Sequence, residues 1–138
     1  MRSMLKRIRR DERGQALIEL ALSLVLLLLL VAGVVDFGRL FNNYIIITNA
    51  SREGARYASH FPLVDDEPGI KAATQQEAAG SGVMLEDGDI TIDGDVRTAG
   101  KPIRVSVAYD FPTLLAGMFG FGDLTLRSST EMIIFGLD

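Results

Sequence analysis

Residues 16–35 read ALIELALSLVLLLLLVAGVV, and this stretch decides how the rest of the chain is organised. Its last sixteen residues, Leu20 to Val35, carry no charge, and Glu19 is the one ionisable group among the twenty. At about 1.5 Å per residue a helix of this length spans roughly 30 Å, the thickness of a bilayer's hydrocarbon core. The expectation is one transmembrane helix, residues 15–35, surrounded by membrane lipid. A secretory signal peptide cut near Val31-Ala32-Gly33 is the competing reading, because small residues stand there. Against it, the run exceeds the roughly 7–15 apolar residues of such signals. Cleavage there would also leave the following helix without its anchor.

On the N-terminal side, residues 1–13 hold six basic side chains (Arg2, Lys6, Arg7, Arg9, Arg10, Arg13) against Asp11 and Glu12, a net charge of +4. The whole chain of 138 residues is formally −4, so the remainder carries −8. A basic flank stays on the cytoplasmic side of a span, which places residues 1–14 inside and the acidic remainder outside. That acidity also argues against a nucleic-acid partner, since displacing counterions from phosphates needs a basic surface.

On the C-terminal side no proline occurs before Pro62, so the helix is expected to run on from about Gly14 to Ser59, with residues 36–60 projecting from the membrane. Phe37, Leu40, Phe41, Tyr44, Ile45, Thr48, Ala55 and Ala58 recur at helical spacing as one face, opposite Arg39, Asn42, Asn43, Asn49, Glu53 and Arg56. Ile46 and Tyr57 fall outside this division. Residues 61–138 are expected to form a small α+β domain. Phe61 to Glu67 reads as a linker, and Pro68 as the first residue of a second helix ending at Gly80-Ser81-Gly82. Alternation at Ile90–Ile92, Ile103–Tyr109 and Leu124–Ile134 marks three strands, with Phe111 to Gly122 separating the last two. The fold class expected is α+β, a long N-terminal helix on an antiparallel sheet of three or four strands.

Few residues offer chemistry. With zero cysteines there is no disulfide framework and no thiolate metal site. Asp87, Asp89, Asp93 and Asp95 invite a calcium reading, but their spacing departs from the calcium-loop pattern and suits acidic turns around a short strand. The single histidine, His60, reads as a capping or solvated residue at the end of the long helix. Neither a metal nor a cofactor is expected, and no nucleophile setting is recognisable. The small residues from Asn49 to Ala58 permit close approach, so Gly54, Ala55 and Arg56 are candidates either for packing on the chain's own sheet or for contact with a partner.

Three blocks carry a resemblance: Arg13-Gly14-Gln15-Ala16-Leu17-Ile18-Glu19-Leu20; Val35-Asp36-Phe37-Gly38-Arg39-Leu40-Phe41; and Asn49-Ala50-Ser51-Arg52-Glu53-Gly54-Ala55-Arg56-Tyr57-Ala58. In this order and spacing they resemble the TadE-like family, pseudopilins of the tight-adherence (Flp, type IVc) pilus machinery. The resemblance implies a pilin-like fold and a non-catalytic minor pilin or pseudopilin of the bacterial inner membrane, partnered by a prepilin peptidase and by other pilins and pilus assembly proteins. It implies cleavage between Gly14 and Gln15, with Glu19 as the fifth residue of the mature chain. Leu20 stands where Flp pilins carry an aromatic residue. Glu19 then has two readings: an acid that snorkels to the headgroups, or a buried carboxylate paired with the new amine at Gln15 of a neighbour. Two alternatives remain beside the pilin reading. One is an uncleaved anchor subunit of an assembly or secretion complex, and the other is a membrane-tethered hydrolase.

Overall fold

The computed structural model describes residues 12–60, 66–94, 98–120 and 122–135; the side chains of Glu12 and Arg13 are outside that description. The basic arm at residues 1–11, the linker residues 61–65 and Asp95 therefore lie outside the described residues. Helix α1 runs unbroken over Glu12–His60, 49 residues and about 73 Å at 1.5 Å per residue. Nothing in its sequence interrupts it: it contains no proline, and its glycines are isolated within long runs of helix formers.

The two halves of α1 live in different surroundings. Its apolar half has an 18-residue window of mean hydropathy 2.8, none of it buried within the chain, as befits a helix made to be covered by something else. From Asp36 on, the helix packs against α2 (Glu67–Gly80) and the sheet. Asp66 caps α2 by accepting from the Gly69 amide at 2.9 Å, and Pro68 occupies the first turn, where its missing N–H is not needed. The sheet is an antiparallel meander, β1 (Ile90–Asp93), β2 (Pro102–Phe111), β3 (Leu124–Ile133), in that order. Ile90 faces Val107 across the first ladder, and Val107 faces Ser128 across the second. This is the expected α+β arrangement of a long helix on a small sheet, with three strands among the described residues.

The helix face that packs differs from the one its apolar spacing suggested. Ala55 and Ala58 are buried as expected, but Phe37 and Phe41 are 69% and 57% exposed, and Tyr44 and Ile45 are exposed too. The buried line is instead Asp36, Ile47, Ala50, Ser51, Gly54 and Ala58. At 100° per residue Phe37, Phe41 and Ile45 lie about 80–160° around the helix from that line. From Asp36 on, α1 has apolar residues on more than one side, and the domain covers only one. Part of the covered side is polar: Thr48 Oγ1 meets Ser128 Oγ at 3.0 Å, and Ser51 Oγ meets Thr130 Oγ1 at 2.9 Å, joining α1 to β3.

Two apolar clusters fill the interior. The one nearer the apolar half of α1 gathers Ile46, Ile47, Ala50, Ala78, Leu85, Val107, Phe111 and Leu126; the one farther from it gathers Ala55, Ala58, Ile70, Ile103, Val105 and Ile134. Between β2 and β3, where sequence alone indicated only a separating segment, Leu114–Phe119 forms a short helix, α3. Six residues are too few for a periodicity to register.

Candidate functional site

Asp36, the first residue after the charge-free run, is 6% exposed and makes the principal polar contact between α1 and the loop of α3. Its Oδ1 accepts from the Leu114 amide at 2.9 Å and its Oδ2 from the Leu115 amide at 3.0 Å. The Arg39 guanidinium, one turn on, lies 3.4 Å from Oδ1 and 5.2 Å from the centre of the Phe111 ring. Thr113 caps the same helix by accepting from the Ala116 amide at 2.9 Å. A helix start has orphan N–H groups, and a carboxylate that accepts two of them is held in its ionised form. The Leu114 amide chiefly lowers the Asp36 pKa, burial opposes this, and the Leu115 amide and Arg39 add to the lowering. The sequence placed Asp36 at the membrane boundary without giving it a partner, because that partner is 78 residues away.

A folded-state pKa below the unfolded value means stabilisation that is present at neutral pH and lost as pH falls through the folded pKa. The Leu114 and Leu115 amide resonances of the full chain in micelles should therefore titrate together, with a midpoint below the ordinary aspartate value of 3.8. A titration midpoint of these amides above that value would show that the carboxylate is not held by them.

Gly54 and Ala55 are both buried within the chain. A Cβ at Gly54 would lie 2.2 Å from Thr74 Oγ1 on α2 and 3.2 Å from Val105 Cγ1 on β2, so glycine is what lets three elements meet. The Thr74 hydroxyl is itself buried and donates to the Ile70 carbonyl at 2.8 Å. Arg56 points outward and holds Glu53 with two guanidinium hydrogen bonds, which lower the Glu53 pKa. An exposed pair of this kind adds little stability.

Gly14, Gln15 and Glu19 all lie on the first turns of α1, and Gln15 and Glu19 are exposed. Their spacing of four places them on one side of the helix, one turn apart. The bond between Gly14 and Gln15 is within helix, two residues from the Glu12 end.

The acidic turn is engaged locally. Asp89 accepts from the Glu86 amide at 2.8 Å and Asp87 accepts from Gln75 Nε2 at 2.9 Å; among the described residues no three His, Cys, Asp or Glu side chains form a group able to hold a metal. His60 donates from Nδ1 to the Arg56 carbonyl at 2.8 Å, and its ring is tilted against Phe135. An open depression on the sheet is lined by Tyr44, Asp89, Thr91, Ser106, Arg127 and Ser129 among others. Its one described carboxylate, Asp89, is the residue that closes the turn.

Residues 14–56 match the family model of TadE-like protein, on the same segment of α1 that carries the three sequence blocks. That family is one of pilus components. The match ends at Arg56, so the sheet, α2 and α3 stand outside it. No curated protein and no solved structure matches the chain. The long apolar N-terminal helix is compatible with a single-pass membrane anchor.

Proposed function

With a TadE-like segment at residues 14–56 as the premise, we propose that this chain is a minor pilin or pseudopilin that acts in assembling a tight-adherence, type IVc pilus. The observation that carries the reading is the coincidence of that match with an apolar half-helix that the other described residues leave bare. Such a surface is stable in lipid, and it becomes equally stable against the helices of other pilins, where packing rather than a hydrophobic driving force decides association. The protein is stored in the bacterial inner membrane, N-terminus cytoplasmic, and leaves the bilayer as its helix bundles with those of its partners. It performs no catalysis; a prepilin peptidase acts on it, cutting between Gly14 and Gln15.

One observation favours a second reading. The helix is continuous through Gly14, whereas a protease binds its substrate extended, so the leader must unwind before it is cut. A permanent, uncleaved anchor subunit needs no such step.

Mass analysis of the protein from cells separates the two. We expect a mature chain beginning at Gln15, and for Gly14→Leu a full-length chain that still inserts but migrates as a slower band. Wild-type protein that retains Met1 to Gly14 while pili are produced would establish the anchor reading instead.

A further inference from the structure

We infer that α3 is a second membrane contact, an apolar foot through which the external domain rests on the outer face of the bilayer that α1 crosses. The inference rests on the membrane-spanning part of the proposed function and not on pilus assembly.

Depth is the first observation. A Cβ at Gly33 would lie 3.9 Å from Leu115 Cδ1, and the backbone of α3 is tied to Asp36. Gly33 is inside the charge-free run, two residues or about 3 Å of helix rise before its end. If the run is in hydrocarbon, α3 is held at the boundary between acyl chains and headgroups.

Composition and exposure are the second. Residues 114–119, LLAGMF, carry no charge. Ala116 is buried against the domain, while Leu114 and Met118, four apart and on one face, are 48% and 66% exposed. Leu124 at the start of β3, paired with Phe111 at the end of β2, is exposed as well. The first N–H groups of α3 are meanwhile satisfied by the protein. Asp36 and Thr113 accept three of its first amides, and the Gly120 amide closes the last turn on the Ala116 carbonyl at 2.8 Å, with Gly120 in the left-handed region at φ +72°. A turn of helix that has no need of water for its N–H groups and turns apolar side chains outward is suited to an interface.

Two apolar side chains would hold a free peptide at a membrane only weakly. Here α1 has already brought α3 to the surface, so docking is intramolecular and the tether replaces affinity. Lipid is the occupant because the exposed face continues an apolar surface that begins in the span. The consequence is an orientation: the domain is fixed about the α1 axis before any pilus partner arrives.

The chain contains no tryptophan, so single tryptophans report without background. Met118→Trp, Leu114→Trp, Leu27→Trp and Phe135→Trp are each reconstituted, as the full chain, in two sets of vesicles, one of phosphatidylcholine brominated near the glycerol end of its acyl chains and one of phosphatidylcholine brominated near their middle. Phe135 donates its amide to Ser59, 26 residues along α1 from Gly33 and so about 39 Å away along the helix; it is the distant control. Tryptophan at 118 and at 114 should lose about half or more of its emission to shallow bromines, and at 135 almost none. Leu27→Trp should be quenched by bromines deeper in the chain. Positions 118 and 114 no more quenched than 135, with position 27 quenched, would overturn the inference while leaving the span intact. Emission at 118 that shifts to the blue without quenching would assign the face to a protein neighbour and overturn it equally. An unquenched position 27 would remove the span, and the inference with it.

Discussion

Gly54→Ala should lower the melting temperature of the external domain by about 10–20 °C. The added Cβ meets the buried Thr74 Oγ1 at 2.2 Å and Val105 at 3.2 Å, and neither is the free end of a flexible side chain. Thr74 is β-branched and hydrogen-bonded to Ile70, so α2 must move away from α1 as a unit. Overpacking of this kind costs about 1–3 kcal/mol, and each kcal/mol is worth roughly 4–8 °C in a domain of this size. The measurement is circular dichroism of full-length protein in micelles, following the loss of sheet and α2 signal while the apolar half of α1 stays folded. The mechanism has its own check. Thr74→Ala deletes the clashing oxygen, so Gly54→Ala with Thr74→Ala should recover part of the loss. A double variant as unstable as the sum of the two single ones would show that the close approach of α1 and α2 is not what Gly54 provides.

Glu19→Leu carries the largest expected effect on assembly. The substitution makes the apolar run longer and less costly to insert, so membrane levels should equal or exceed those of the wild type. Leader removal should also be normal, since Gly14 and Gln15 are untouched. Any defect must then arise after the mature helix meets its neighbours. If Glu19 pairs with the Gln15 amine of an adjacent subunit, its loss leaves a buried cation without a partner, a deficit of about 3–5 kcal/mol, or more than a hundredfold in association. Co-purification with pilus components and surface adherence should both fall to background. Undiminished co-purification together with wild-type adherence would return Glu19 to the other reading, an exposed acid that reaches the headgroups and takes no part in assembly.

How the elements are distributed shows which parts of this molecule were open to reading from its residues. Helix α1 was legible nearly end to end, as Gly14–Ser59 against Glu12–His60, because its signals are local: uninterrupted helix formers, no proline, a charge-free run of bilayer length. The three strands were legible from alternation, and α2 from Pro68 and the Gly80-Ser81-Gly82 stop, with the helix starting one residue earlier at Glu67. The TadE-like match likewise falls on residues whose order and spacing are a property of the linear chain.

What the chain order determined, then, is the set of elements, the membrane-length helix and the family resemblance at its N-terminal end. Tertiary structure alone decided which side of α1 is covered. Phe37, Phe41 and Ile45 are as apolar as Ile46 and Ile47, and periodicity weighs them alike; the domain attaches to one side only because Gly54, Ala50 and Ser51 let α2 and the sheet come close there. It also decided the partners of Asp36. A carboxylate just past an apolar run looks like an ordinary boundary residue until a loop 78 positions later is brought over it, and then its two oxygens are the acceptors a short helix lacked. Local signals report backbone preference, which each residue expresses by itself. Which face is buried and which charge is paired are properties of contacts between distant segments, and they exist only once the chain has folded.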